Sequence, residues 1–344
     1  MLIAFILLVM LGVLLQEPAK RSENSTDQIY ENMTNATPEN VTPEEISNNT
    51  VNWNNSENQY SSPEKSPSGT QKSNLTVHFI DVDQGNSILV EYANKTMLID
   101  AGGSDKAANV SAFLKEQGVS IIDIVVWTHP YPENIGSIID ILNEYPVGKF
   151  VDSGYLYTNK SYENLLSIIQ NKSIQYQLPK RGEALAFSSG IQVQVLNPPK
   201  RSFEDINENS LVLRLVDNNV SFLLMSDAGL QAEESIMYEG YYVESDILKV
   251  GSHVNNSGEE FIGEVNPDIS IMEDGSDNED VTPRSEILQR LQNTSTVYRT
   301  DLYGNITITT DGLTYTVTTE KDPEQNSTSM TVSYPAIKVK QRSK

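Results

Sequence analysis

From residue 74 onward, apolar side chains return with two distinct periods. Alternation or short continuous runs predict strands at 77–80, 87–92 and 96–99. Ser104 can cap a helix whose Val110, Phe113 and Leu114 share one face, with Gly118 ending it. Residues 121–127 form an apolar run broken by a single Asp, as expected of a strand buried on both faces. Ile135, Ile138, Ile139 and Leu142 follow helical spacing, and so do Tyr162, Leu165, Leu166 and Ile169. The second half repeats the rhythm. Strands are predicted at 191–196, 211–216, 222–225, 247–250, 268–272, 296–299, 306–309 and 315–319. Between them lie a helix at 231–239 and a helix start at Thr282-Pro283. Two successive β-rich units with helices behind them predict one domain of two packed sheets, helices outside.

The flanks read differently. Residues 1–16 open with an apolar run shorter than the ~20 residues a spanning helix needs, so they are expected to be a signal peptide or an N-terminal membrane anchor. Residues 17–72 are rich in Asn, Ser, Thr and Pro and poor in large apolar side chains, which predicts a disordered spacer. The folded domain is placed at 73–320, and 321–344 is read as a flexible basic tail. The spacer carries Asn-x-Ser/Thr sequons at Asn24, Asn32, Asn35, Asn40, Asn48 and Asn54, and the whole chain holds 16. With no cysteine present, disulfides, zinc ribbons and thiol catalysis are excluded. Leader, sequons and missing thiols together predict an extracellular protein, secreted or held on the outer face of the membrane, that meets the membrane only through its N-terminal segment.

Charge narrows the partners. The chain has a formal net charge of -23, and residues 73–320 hold 36 acidic against 15 basic side chains. Such a domain repels polyanions, so nucleic acid is an unfavourable partner, and an unknown surface partner or ligand is expected instead.

Candidate chemistry gathers after predicted strands. The segments are 81–87 (Asp-Val-Asp-Gln-Gly-Asn-Ser), 98–103 (Leu-Ile-Asp-Ala-Gly-Gly), 128–137 (Thr-His-Pro-Tyr-Pro-Glu-Asn-Ile-Gly-Ser), 226–229 and 249–255. Polar groups at strand ends between two sheets are where such a fold places a site. In order and spacing these segments, with 207–213 and 298–306, resemble the metallo-β-lactamase superfamily, and within it the extracellular domain of ComEC-type competence proteins. The resemblance implies a four-layer αββα sandwich. It also implies loop-structuring roles for Asp81, Gln84, Gly85, Asp100, Gly102 and Gly103.

The departures fall on the metal ligands. The family's His-x-His-x-Asp-His reads here His129-Pro130-Tyr131-Pro132-Glu133-Asn134, and one His of its later pair is Ser252. Two zinc ions normally need several nitrogen ligands; the candidates left are His129, Glu133, Asp227 and His253. One reading is a lost metal site, no cofactor and a non-catalytic binding or envelope module. The alternative is a single divalent ion, zinc or manganese, with Asp227 serving a metal-dependent phosphodiesterase or nuclease. His78 and Trp127 are expected to be packing residues.

Overall fold

The computed structural model describes residues 74–129, 135–155, 160–251, 257–273, 285–323 and 330–335. The leader, the spacer with its six sequons, Glu133, His253 and the Thr282-Pro283 helix start lie outside them.

The first unit runs β1 (Leu75–Phe79), β2 (Ile88–Tyr92), β3 (Lys95–Ile99), α1 (Ala107–Glu116), β4 (Ile122–Trp127), α2 (Ile135–Glu144), β5 (Val147–Asp152), α3 (Lys160–Asn171) and β6 (Gln175–Gln177). The second runs β7 (Gln192–Asn197), β8 (Val212–Asp217), β9 (Val220–Leu224), α4 (Leu230–Tyr238), β10 (Ile247–Lys249), α5 (Glu259–Val265), β11 (Ile269–Met272), α6 (Ser285–Gln292) and β12 (Thr296–Arg299). A short α7 (Thr300–Tyr303) leads to β13 (Ile306–Thr310), β14 (Thr314–Thr319) and β15 (Met330–Pro335).

Nine strands form one sheet in the order β15-β14-β13-β1-β2-β3-β4-β5-β6, and six form the other in the order β12-β11-β10-β9-β8-β7. In both, hairpin strands are antiparallel and strands followed by a helix pair in parallel, because a crossover helix returns the chain to the same end. Alternation sorts the side chains. Val77, Phe79, Val90, Ile124 and Val126 of the first sheet meet Leu213, Phe222, Ile247 and Ile271 of the second. Leu98, Val125 and Trp127 pack on α1, α2 and α3. Leu223, Leu248 and Met272 pack beneath α4, α5 and α6. The fold is the expected αββα sandwich, of the metallo-β-lactamase type.

Helices α5 and α7 have no counterpart in the predicted elements, and three further details differ from them. Helix α1 begins at Ala107 with Lys106 at its N-cap and no side-chain cap. Ser104 instead packs against Gly136 of α2, where an added Cβ would stand 2.7 Å from the Ser104 Cβ. Strands β5 and β6 were not anticipated; their Gly, Lys and Gln residues dilute the pattern, and pairing with β4 and then with each other creates them. The domain also runs past residue 320. Met330–Pro335, placed in the basic tail, pairs antiparallel with β14. Tyr334 stacks on Tyr315 with ring centroids 5.3 Å apart, and its hydroxyl lies 3.2 Å from that of Tyr298 on β12. The strand thus closes the open side of the sandwich with an aromatic pair.

Candidate functional site

The carboxyl ends of β3, β4, β9, β10 and β11, with the loop between β1 and β2, bring their next residues to one place between the sheets. That edge is where open α/β sheets present ligand groups. The loop needs close backbone approach. Gly102 has φ +67°, its N–H donates to the Asn86 carbonyl at 2.9 Å, and a Cβ there would stand 2.8 Å from Val82. Gly85, φ +96°, faces the Gly102 backbone. Asp81 accepts from the Asp83 N–H at 3.3 Å while its own N–H donates to Asn305 at 2.8 Å. Gln84 is exposed, and Gly103 accepts from the Ser137 hydroxyl.

Inside this loop lies a buried chain of polar contacts. His129 is 2 % exposed and sets Nε2 2.9 Å from Asp227 Oδ2. Its Nδ1 stands 3.0 Å from Thr128 Oγ1. The Thr128 N–H donates to Asp100 Oδ1 at 2.9 Å, and the Thr128 hydroxyl donates to Asp100 Oδ2. Ser226 Oγ touches the same hydroxyl. On the other side, Asn86 Nδ2 donates to Asp227 Oδ1 at 2.8 Å. Lys249, fully buried, donates from Nζ to Asn86 Oδ1 and to the Ser226 carbonyl at 3.0 Å. Glu273 accepts from the Ser87 N–H at 3.2 Å and sets Oε2 3.8 Å from Lys249 Nζ.

The electrostatics follow from burial and pairing. Burial alone would push the His129 imidazole down, but Asp227 and Asp100 outweigh it and hold it above its ordinary pKa. Its Nε2 faces Asp227 and its Nδ1 faces Thr128. Burial raises Asp100 against the pull of His129 and Thr128. Burial also pushes Glu273 up to about 8, although Lys249 pulls it down. His129 and Lys249 therefore face three carboxyl groups, of which Glu273 is the one pushed furthest toward its protonated form.

In the structure both ring nitrogens of His129 and both carboxylate oxygens of Asp227 face protein partners. Among the described residues no three His, Cys, Asp or Glu side chains converge to hold an ion. The space between Asn86, Asp100, Thr128, Ser226 and the leucines below is about 10 Å³, room for a single water at most. Of the four candidate ligands the structure joins His129 and Asp227 directly; Glu133 and His253 lie outside the described residues.

The residues that complete the cluster carried no individual role in the sequence. Asn86, Thr128, Ser226 and Lys249 all lie within the motif segments. The signal for Glu273 was an acid directly after a strand that is apolar but for Ser270. His78 and Trp127 are packing residues. His78 bonds Thr307 at 2.9 Å and Glu91 at 3.0 Å and meets Phe113 edge-on, and Trp127 lies against Phe150 and Tyr162.

Comparison with known proteins agrees with this frame. The family described as Metallo-beta-lactamase superfamily matches residues 80–164. The chain is 28% identical over 251 residues to ComE operon protein 3 of Bacillus subtilis (strain 168), covering 67% of this chain and 32% of that protein. It is 26% identical over 244 residues to Competence protein ComA of Neisseria gonorrhoeae, covering 69% and 33%. The chain therefore spans about a third of the length of these relatives. Among solved structures, the metallo-beta-lactamase fold protein YhfI from Bacillus subtilis is similar over 70% of this chain and 100% of that one, at 11% identity and a TM-score of 0.49.

Proposed function

We propose that this chain is an exported, surface-displayed metallo-β-lactamase-fold module of the competence-protein type that does no metal-dependent hydrolysis and serves as a binding or envelope component. The observation that carries this reading is the closed chain of contacts Lys249–Asn86–Asp227–His129–Thr128–Asp100, in which the side chains placed to hold an ion are spent on one another. An ion that activates a water for hydrolysis would draw on His129 and Asp227, and both of these are already paired. The charge of residues 73–320, 36 acidic against 15 basic side chains, supports a partner other than nucleic acid. The apolar leader, the sequons and the envelope setting suggested by its competence-protein relatives support export.

The test is activity. The full chain is assayed on single-stranded DNA and on a bis-aryl phosphate, with zinc or manganese added. The expected result is turnover no higher than that of the Asp227→Ala variant. Turnover abolished by both His129→Ala and Asp227→Ala would establish the hydrolase instead.

A further inference from the structure

Lys249 and Asn86 meet across the sandwich. Lys249 closes β10 in the six-stranded sheet, and Asn86, 163 residues away, lies in the loop that leads into β2 of the nine-stranded one. Both are buried, at 0 % and 2 % exposure. The orientation of the Asn86 carboxamide follows from its neighbours. A carboxylate accepts and an ammonium donates, so Nδ2 turns to Asp227 Oδ1 at 2.8 Å and Oδ1 turns to Lys249 Nζ. The lysine nitrogen thus lies against the oxygen of a carboxamide whose carbon is one bond of about 1.2 Å away from that oxygen.

The third group is Glu273, which follows β11, the strand beside β10. Its Oε1 accepts the Ser87 N–H at 3.2 Å, which ties it to the residue after Asn86. Its Oε2 is buried with no hydrogen bond among the described residues and stands 3.8 Å from Lys249 Nζ. A carboxyl oxygen so placed beside an ammonium is a ready proton acceptor. Burial pushes this acid up to about 8, because a low dielectric disfavours its charged form. Passing the proton across removes both charges from the interior. The adjoining space of about 10 Å³, lined in part by Asn86, holds nothing larger than a molecule the size of water.

We propose that Lys249 and Asn86 join in an isopeptide bond, an amide between the two side chains that staples one sheet to the other. Glu273 takes one proton from the Lys249 ammonium. The free amine forms a bond from Nζ to Asn86 Cγ. A second Nζ proton passes to Nδ2 as the Cγ–Nδ2 bond breaks with its electron pair on nitrogen. The products are a secondary amide and ammonia, which carries off the Glu273 proton as ammonium and restores the carboxylate. The step needs no oxidant and no co-reactant. What drives it is placement, since a buried, oriented pair reacts as if at a very high concentration. Only the fold brings the two residues together, so newly folded chain holds the hydrogen-bonded cluster described above and the bond follows. In a chain without cysteine, this bond does what a disulfide does elsewhere, closing a long loop in the unfolded state. The inference is independent of whether the module binds an ion or a partner.

The full chain, made in a host that does not glycosylate, is purified folded and digested with trypsin at once and after several days, and the peptides are read by mass spectrometry. An acylated Lys249 is not cleaved, so the expected product is residues 73–95 joined to residues 215–284, lighter than their sum by one ammonia. It should become the dominant form with time. Glu273→Gln, which cannot take the proton, should lower its yield at least tenfold. Recovery of 73–95 and 215–249 only as separate peptides, from chain that still unfolds cooperatively in urea, overturns the inference and leaves the non-hydrolytic module standing. An undiminished yield in Glu273→Gln overturns the role of that acid. The parent peptides decide the bond even where the variant does not fold.

Discussion

The two ends of the sandwich solve the problem of polar residues in opposite ways. At the carboxyl ends of the parallel strands, His129, Asp227, Asn86 and Lys249 are buried and bonded to one another, with Glu273 beside Lys249. At the other end, Asn74, Asn94, Asn219 and Asn293 stand in solvent in or beside turns. Buried polar groups are coupled, because removing one leaves its partner unpaired in a low dielectric. Exposed ones are independent, because water replaces whatever is lost. The first end is therefore expected to be sensitive to substitution and to pH, and the second tolerant of both.

The largest effect is expected at Lys249. At pH 9, where Glu273 is largely ionised, Lys249→Met leaves Glu273 and the Asn86 carbonyl without their cation and should cost about 3–5 kcal/mol in urea unfolding. The double variant Lys249→Met/Glu273→Gln should recover at least half of that. No recovery would mean that the two groups do not sense each other. Asn86→Ala removes the donor to Asp227 and the acceptor for Lys249 together, for an expected loss of about 2–3 kcal/mol.

Next comes pH. Glu273 is raised from 4.5 to about 8 and Glu233 from 4.5 to about 7, both chiefly by burial. An acid whose folded pKa is raised contributes stability that is complete below the unfolded value and lost as pH rises through the folded one. The melting temperature should accordingly fall between pH 5 and pH 8.5 by several degrees, at about 2–4 °C per kcal/mol. Glu273→Gln should flatten the upper part of that slope. A melting temperature that rises over this range would contradict the assignment.

Smaller effects sharpen the contrast. Tyr334→Ala removes the stack on Tyr315 and should cost about 1–2 kcal/mol. In unglycosylated protein, Asn94→Gln and Asn219→Gln should stay within about 0.5 kcal/mol of the parent.

The layers were legible in the sequence because period-two runs such as Leu75–Phe79 and helical faces such as Tyr162, Leu165 and Ile169 each have one buried side. The edges were not. Gln175–Gln177 and Met330–Pro335 are strands only because a neighbour offers them a ladder, and no local pattern encodes that neighbour. For the site, motif order located the right strand ends, and the missing imidazoles were plain. What replaced them was not. A buried Lys249 reads like any lysine until Asn86 and Glu273, 163 residues away on one side and nearby on the other, are seen to converge on it.

The central claim is that His129 and Asp227 are committed to each other and to their protein neighbours. Metal content tests it most directly: the full chain is loaded with excess zinc and manganese, dialysed, and its bound metal counted by mass spectrometry. The account predicts well under one equivalent of either ion per chain, unchanged in His129→Ala. One or two tightly held equivalents, lost in that variant, would contradict it.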